Sequence, residues 1–236
     1  MRVFNEECFI LRTFPIKESS LIVDVFTRNF GRYSLMAKGA RRQKSEFRGS
    51  IRPFQLLLVG WSGRGEIPTM TSLANKFNPS DIAGRQIYCS YYLNELIIRF
   101  VRQAIPYPEL FDIYLETLKQ LAVPDNEFST LRVFEKNLLK YQGYELNLST
   151  EVDGQTPIDT DKLYLYDFEA GPVCVAQPDE NSVSGRTLMA IANERFDSVE
   201  IRRESQLFLR RAIGFFSDSK AERSREVFRQ TIRVDC

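Results

Sequence analysis

Histidine is absent from this chain of 236 residues. That removes Ser-His-Asp and Cys-His triads, histidine phosphotransfer and most zinc sites at once. Cysteine is nearly as scarce. Cys8, Cys89, Cys174 and Cys236 are scattered without a C-x-x-C pair, so reduced thiols in a cytoplasm are expected in place of a disulfide framework. No apolar run approaches the roughly 18 residues that span a bilayer. The opening MRVFNEECFILRTF has two glutamates ahead of its apolar part and no small-residue cleavage site, so it does not read as a secretory signal. There is no G-x-x-x-x-G-K-[ST] loop, and the glycine-rich GWSGRGE (Gly60–Glu66) reads as a hairpin turn.

Charge is balanced in sum, with 32 Lys+Arg against 31 Asp+Glu, yet it is unevenly placed. Residues 1–80 carry a balance of +7, residues 81–199 a balance of −9, and residues 200–236 a balance of +3. Such separation suggests a basic module that meets a polyanion, joined to an acidic body. The positive charge gathers in one stretch. Arg28, Arg32, Lys38, Arg41, Arg42, Lys44, Arg48 and Arg52 face a single carboxylate, Glu46, within 25 residues. A solvated charged surface is the plain alternative.

The first 75 residues read as short strands broken by turns. CFILRTF (Cys8–Phe14) places Phe9, Leu11 and Thr13 on one side. SLIVDVFT (Ser20–Thr27) is β-branched and is followed by a turn at Gly31. RYSLMAK (Arg32–Lys38) puts Tyr33, Leu35 and Ala37 on one face and Arg32, Ser34, Met36 and Lys38 on the other. FQLLLVGW (Phe54–Trp61) is almost continuously apolar, and EIPTMTS (Glu66–Ser72) is a weaker edge candidate. Five short strands with a basic loop between the third and fourth suit a small closed barrel such as the OB-fold. Beyond residue 81 the apolar spacing becomes helical. Helices are expected over about 85–101 (capped by Ser80 or Asp81), 109–121, 129–142, 184–193 and 200–216, with a last basic helix over 221–229. Between them, LYLYDF (Leu163–Phe168) and PVCVA (Pro172–Ala176) suggest a hairpin. The fold class is α+β: an N-terminal OB-fold β-barrel, then an α-helical domain with a small β insert. The expected domains are 1–80, then 81–143 with 182–236, and the insert 144–181.

Catalytic candidates are weak. Asp159 and Asp161 form a D-x-D pair that suits Mg²⁺, which leaves a metal-dependent nuclease as one reading, but they sit in a polar loop. Glu6 and Glu7 read as a surface pair. The basic loop is the stronger signal, because each phosphate neutralised releases condensed counterions and gives affinity without sequence preference. Arg32, Lys38, Arg41, Arg42, Lys44 and Arg48 are the candidate DNA contacts. Tyr33, Phe47 and Trp61 are candidate base-stacking residues, each with core packing as its alternative. An OB-fold RNA-binding factor is the runner-up function.

Pro15–Glu66, with KESSLIVDVFT, G-R-x-x-L-x-A-K-G-A-R, R-G-x-I-x-P-F and GRGE, resembles the N-terminal domain of the RecO family of recombination mediators. YYLNEL (Tyr91–Leu96), ELFDIYL (Glu109–Leu115), LRVFEKNLLKYQGY (Leu131–Tyr144) and SREVFRQ (Ser224–Gln230) are similar to that family in the same order. The resemblance implies an OB-fold, a helical domain and a zinc-finger-like insert. It also implies a protein of the bacterial cytoplasm and nucleoid that is not an enzyme. Such a protein binds single- and double-stranded DNA and anneals complementary strands. With RecR, and RecF, it helps load RecA onto DNA covered by single-strand DNA-binding protein (SSB). The insert departs from the family: between Tyr144 and Gln177 only Cys174 is available, so no zinc and no other cofactor is expected. Arg132 matches the family position for the acidic SSB tail, with Leu131 and Phe134 beside it. Whether Lys220–Arg233 touches DNA is left open.

Overall fold

The structure is a computed structural model that describes residues 1–78 and 82–233, with side chains through residue 217. Ser80 and Asp81, the expected helix caps, lie outside the described residues, as do the side chains of Lys220–Arg233. The chain divides into two compact units, Met1–Glu127 and Phe128–Cys236.

The first unit holds β1 (Arg2–Ile16), β2 (Ser20–Thr27), β3 (Gly31–Ala37), β4 (Leu56–Ser62), β5 (Thr69–Phe77), α1 (Arg85–Phe100) and α2 (Pro108–Leu121). β1 pairs antiparallel with both β2 and β4, β2 with β3, and β4 with β5. Alternation along β2 and β3 sends Val23, Val25, Leu35 and Ala37 inward. There they pack with Ile10, Val59 and Trp61 in a core closed to water. The outer face of the same strands carries Phe9 and Phe26, which meet Phe111 of α2 at 5.1 and 5.4 Å between ring centroids. Burying rings of this size on both faces is what sets the curvature of the sheet against the helices.

Several expectations about this unit are corrected. The sheet runs round in the order β1-β2-β3-β5-β4 but is not a continuously hydrogen-bonded OB barrel. It is mixed, and its end strands β3 and β5 meet in parallel at one pair, Met36 and Thr69. The contact is the Met36 N–H donating to the Pro68 carbonyl at 2.8 Å. Pro68 has no N–H to return, so no ladder grows from that point. α1 and α2 belong to this unit. The alternation expected for Cys8–Phe14 also fails midway. A bulge between Ile10 and Arg12 reverses the parity, so Arg12 faces Asp24 and Phe14 faces Ile22 on the outer surface. Nor are Glu6 and Glu7 a surface pair. Glu6 is 6% exposed and accepts from the Asn29 backbone N–H at 2.7 Å, while Glu7 is gripped by Arg28 at 2.7 Å and by Lys76.

The second unit holds most of α3 (Glu127–Tyr141), then β6 (Leu163–Asp167), β7 (Gly171–Val175), β8 (Ser182–Ser184), α4 (Gly185–Asn193) and α5 (Val199–Arg233). The hairpin at 163–175 forms as its alternation predicts, and β8 adds a third strand in the order β7-β6-β8. Tyr164, Val183, Leu188 and Phe208 form its core. Ser184 caps α4 by accepting the Thr187 N–H at 3.2 Å, and its hydroxyl donates to Glu204 of α5 at 2.5 Å. The two helices expected after residue 200 are one helix to Arg233. No glycine or proline follows Gly214 to stop it.

Gly31 turns β2 into β3 at φ 69°, and a Cβ there would stand 1.8 Å from the carbonyl oxygen of Ile105. Gly31→Ala should therefore lower unfolding free energy by at least about 2 kcal/mol. Gly65→Ala, with nothing within 4 Å, should stay within about 0.5 kcal/mol of the parent in urea titrations.

Candidate nucleic-acid interface

The chain between β3 and β4, residues 38–55, is a succession of turns. Arg42 N–H donates to the Gly39 carbonyl at 3.0 Å, Ser45 to Arg42 at 3.1 Å, and Arg48 to Ser45 at 3.1 Å. Gly39, at φ 67°, lets the strand leave the sheet and enter these turns. The loop is pinned from below and from the side. Ala40, Phe47 and Ile51 pack onto the core of the sheet. The Arg41 N–H donates to the Ser19 carbonyl at 2.9 Å and the Gly39 N–H to the Ser20 hydroxyl at 3.3 Å, which ties the loop to the β1–β2 turn.

With the apolar residues turned in, the cations are left outside. Lys38, Arg41, Arg42, Lys44 and Arg48 are all exposed. Among the described residues none of the five has a carboxylate within ion-pair distance, whereas the cations elsewhere in this unit that do pair include Arg12, Arg28 and Lys76. The Arg48 guanidinium donates to the Gln43 carbonyl at 3.0 Å. Lys17, Lys38 and Arg42 line a cleft of about 520 Å³ together with Glu18, Ser19, Ser20 and Met36.

Arg32 lies off the loop, half-buried on the outer face of β3, and its Nε makes no hydrogen bond among the described residues. Burial holds its pKa below the usual guanidinium value; Asp24 opposes that shift and Arg12 adds to it. Arg28 belongs to the scaffold. Its guanidinium donates to Asp112 at 2.6 and 2.9 Å and to Glu7 at 2.7 Å, and it covers the Phe111 ring at 4.8 Å. The Asp112 contact, then Glu7, pushes its pKa further up against the cost of burial.

The aromatic residues named from the sequence are taken up by packing. Trp61 is 0% exposed, with Tyr33 stacked on it at 5.6 Å and Phe30 edge-on at 5.2 Å. Phe47 packs on the same core. An exposed ring beside a cation is found instead at Phe14 of β1, 42% exposed, with the Arg12 guanidinium 4.8 Å from its centroid. Simple alternation hid it, since the bulge decides which side it takes.

In the second unit, Arg132 is 6% exposed, Phe134 is 0% exposed and Leu131 is half-buried. The Arg132 guanidinium donates to Glu135 at 2.5 Å and lies over the Phe128 ring at 5.2 Å. A peptide carboxylate reaching it would have to take the place of Glu135. Asp159 and Asp161 are exposed and salt-bridged, to Lys162 at 3.7 Å and Arg186 at 2.7 Å. The insert does not fit zinc. Cys174 is exposed on β7 with no second thiol, and the core positions belong to Tyr164 and Tyr166. Among the described residues no group of three or more His, Cys, Asp or Glu could hold a metal ion, and no described helix is long and apolar enough to cross a membrane.

Arg132→Ala should remove the guanidinium that pairs with Glu135, a carboxylate only 1% exposed, and cost about 3–5 kcal/mol of stability. Arg132→Met with Glu135→Leu should restore most of it. Chemical denaturation of the single and paired variants checks both.

The family model described as "Recombination protein O N terminal" matches residues 1–76, and that described as "Recombination protein O C terminal" matches residues 83–225. A DNA repair protein RecO of Aromatoleum aromaticum is 38% identical over 231 residues, covering 97% of this chain and 96% of that protein. RecO of Serratia proteamaculans is 37% identical over 229 residues, covering 97% and 94%. RecO of Methylococcus capsulatus is 36% identical over 230 residues, covering 98% and 95%. Matched along both of its halves, and by relatives of nearly its own length, the chain belongs to the RecO family.

Proposed function

We propose that this recombination mediator holds DNA by its phosphates on the loop of residues 38–48. The contacts are Lys38, Arg41, Arg42, Lys44 and Arg48, with Arg32 at the other end of β3. One observation carries the reading: five exposed cations without carboxylate partners among the described residues, on a loop whose backbone is fixed by its own turns and by Ser19. Cations already paired within a protein have little to offer a phosphate, whereas these keep their full charge for it. A loop held in place also spends less ordering entropy when DNA arrives.

RecO proteins are non-enzymatic mediators of DNA repair, and the family in general interacts with single- and double-stranded DNA, SSB and RecR. For this chain we assign annealing of complementary strands to the same loop. Two strands approach each other against phosphate repulsion, and a surface that neutralises phosphates of either strand, without reading bases, lowers that barrier. Help in loading RecA onto SSB-covered strands, together with RecR and RecF, follows from the same hold on DNA. Contact with the SSB tail is assigned to the start of α3, where Arg132 would exchange Glu135 for the tail carboxylate.

Replacing Arg41, Arg42 and Lys44 by Ala together should weaken DNA binding and flatten its dependence on salt. The slope of log affinity against log salt should fall by about 0.7–0.9 for each phosphate no longer neutralised. Fluorescence anisotropy across a salt series measures it. An unchanged slope sinks the loop as the DNA site, and tighter binding to RNA than to DNA of equal length would favour an RNA-binding role.

A further inference from the structure

We infer that the outer face of β1–β2–β3 is a base-stacking platform for a single DNA strand, with Phe14 as its ring and Ile22 and Met36 as its floor. The inference rests on the loop being the phosphate site and says what lies beside it. Phe14 faces Ile22, and Ile22 faces Met36, so the three form one row across the sheet. Residues directly opposite on neighbouring strands point to the same side. Met36 in turn lines the cleft whose cations are Lys17, Lys38 and Arg42. The apolar row and the phosphate cations therefore meet at Met36.

The neighbouring row strengthens the assignment. Arg12 faces Asp24, and Asp24 faces Ser34. Asp24 is only 4% exposed and is taken up by Arg12 at 2.7 Å and Ser34 at 2.5 Å. The carboxylate of Asp24 is thus screened, while Arg12 reaches out over Phe14. What solvent meets is a ring with a guanidinium upon it, an aliphatic floor, and lysine and arginine at the end of the row. Neither a purely apolar partner nor an acidic peptide needs a flat aromatic surface beside a line of cations. A single nucleic-acid strand needs both, since each base has a face to stack and each linkage a charge to neutralise. Duplex DNA, its bases already stacked on one another, can use only the cations.

The test is Phe14→Ala, with Phe14→Trp as a second variant. Anisotropy is read with a labelled oligothymidylate, an abasic strand of the same length and a duplex. Phe14→Ala should weaken oligothymidylate binding about five- to a hundredfold, and leave the abasic strand, the duplex and the salt slopes as they were. Phe14→Trp should bind like the parent and show indole fluorescence quenched by oligothymidylate but not by the abasic strand. Unchanged oligothymidylate binding by Phe14→Ala overturns the platform, and so does an equal weakening for all three ligands. The triple variant of Arg41, Arg42 and Lys44 separates the two readings. If it keeps the parent's salt slope, the loop assignment fails whatever Phe14 does. If its slope falls while Phe14→Ala behaves as the parent, only the platform fails.

Discussion

Leu11 is the residue that β1 has in excess of β2. Ile10 faces Val25 and Arg12 faces Asp24, so the Leu11 carbonyl has no place in that ladder. A buried carbonyl without a donor is costly, and Asn94 of α1 supplies one, its Nδ2 donating to Leu11 at 2.8 Å and to Ile10 at 3.4 Å. The Asn94 oxygen then accepts from the Tyr114 hydroxyl of α2. Burial pushes the Tyr114 phenol well up in pKa, so it remains a donor. One extra residue in a strand is thereby answered by a side chain from each of two helices. Such a chain of fully satisfied polar groups fixes a unique arrangement in a way that apolar packing of Phe9, Phe26 and Phe111 alone would not.

That constraint explains which parts of the fold were legible in the sequence. Ser20–Thr27 reads correctly because its alternation is unbroken and Gly31 ends it. The place of the loop between β3 and β4 and the exposure of its cations are legible because charge density needs no knowledge of tertiary structure. β1 does not, since a bulge leaves no mark in composition and is stabilised by Asn94, 83 residues further on. Phe14 goes unnoticed for the same reason, while Tyr33 and Trp61 look available until the sheet wraps around them. The single pair joining β3 to β5, and the continuation of α5 past Phe216, are likewise settled by packing and hydrogen bonding that no local window contains.

Arginine serves two ends in this chain, and position decides between them. Arg28 spends its charge on Glu7 and Asp112 and holds the end of β2 against β1 and α2. Arg132 spends its charge on Glu135 inside the second unit. The loop residues, turned outward by the turns that carry them, form no ion pair among the described residues. A near-neutral chain can thus show a strongly positive face, because its acids are used up elsewhere or lie along a different stretch.

The seam at Met36 carries a kinetic consequence. A sheet edge held by one amide opens at the cost of local fraying, while the rest of the sheet needs the whole unit to unfold. The Met36 amide should therefore exchange its hydrogen with solvent through small openings, far sooner than the amides of Val23 or Val25. Met36 also lies where the cleft cations meet the aliphatic floor, so the seam between β3 and β5 sits next to the surface assigned to DNA.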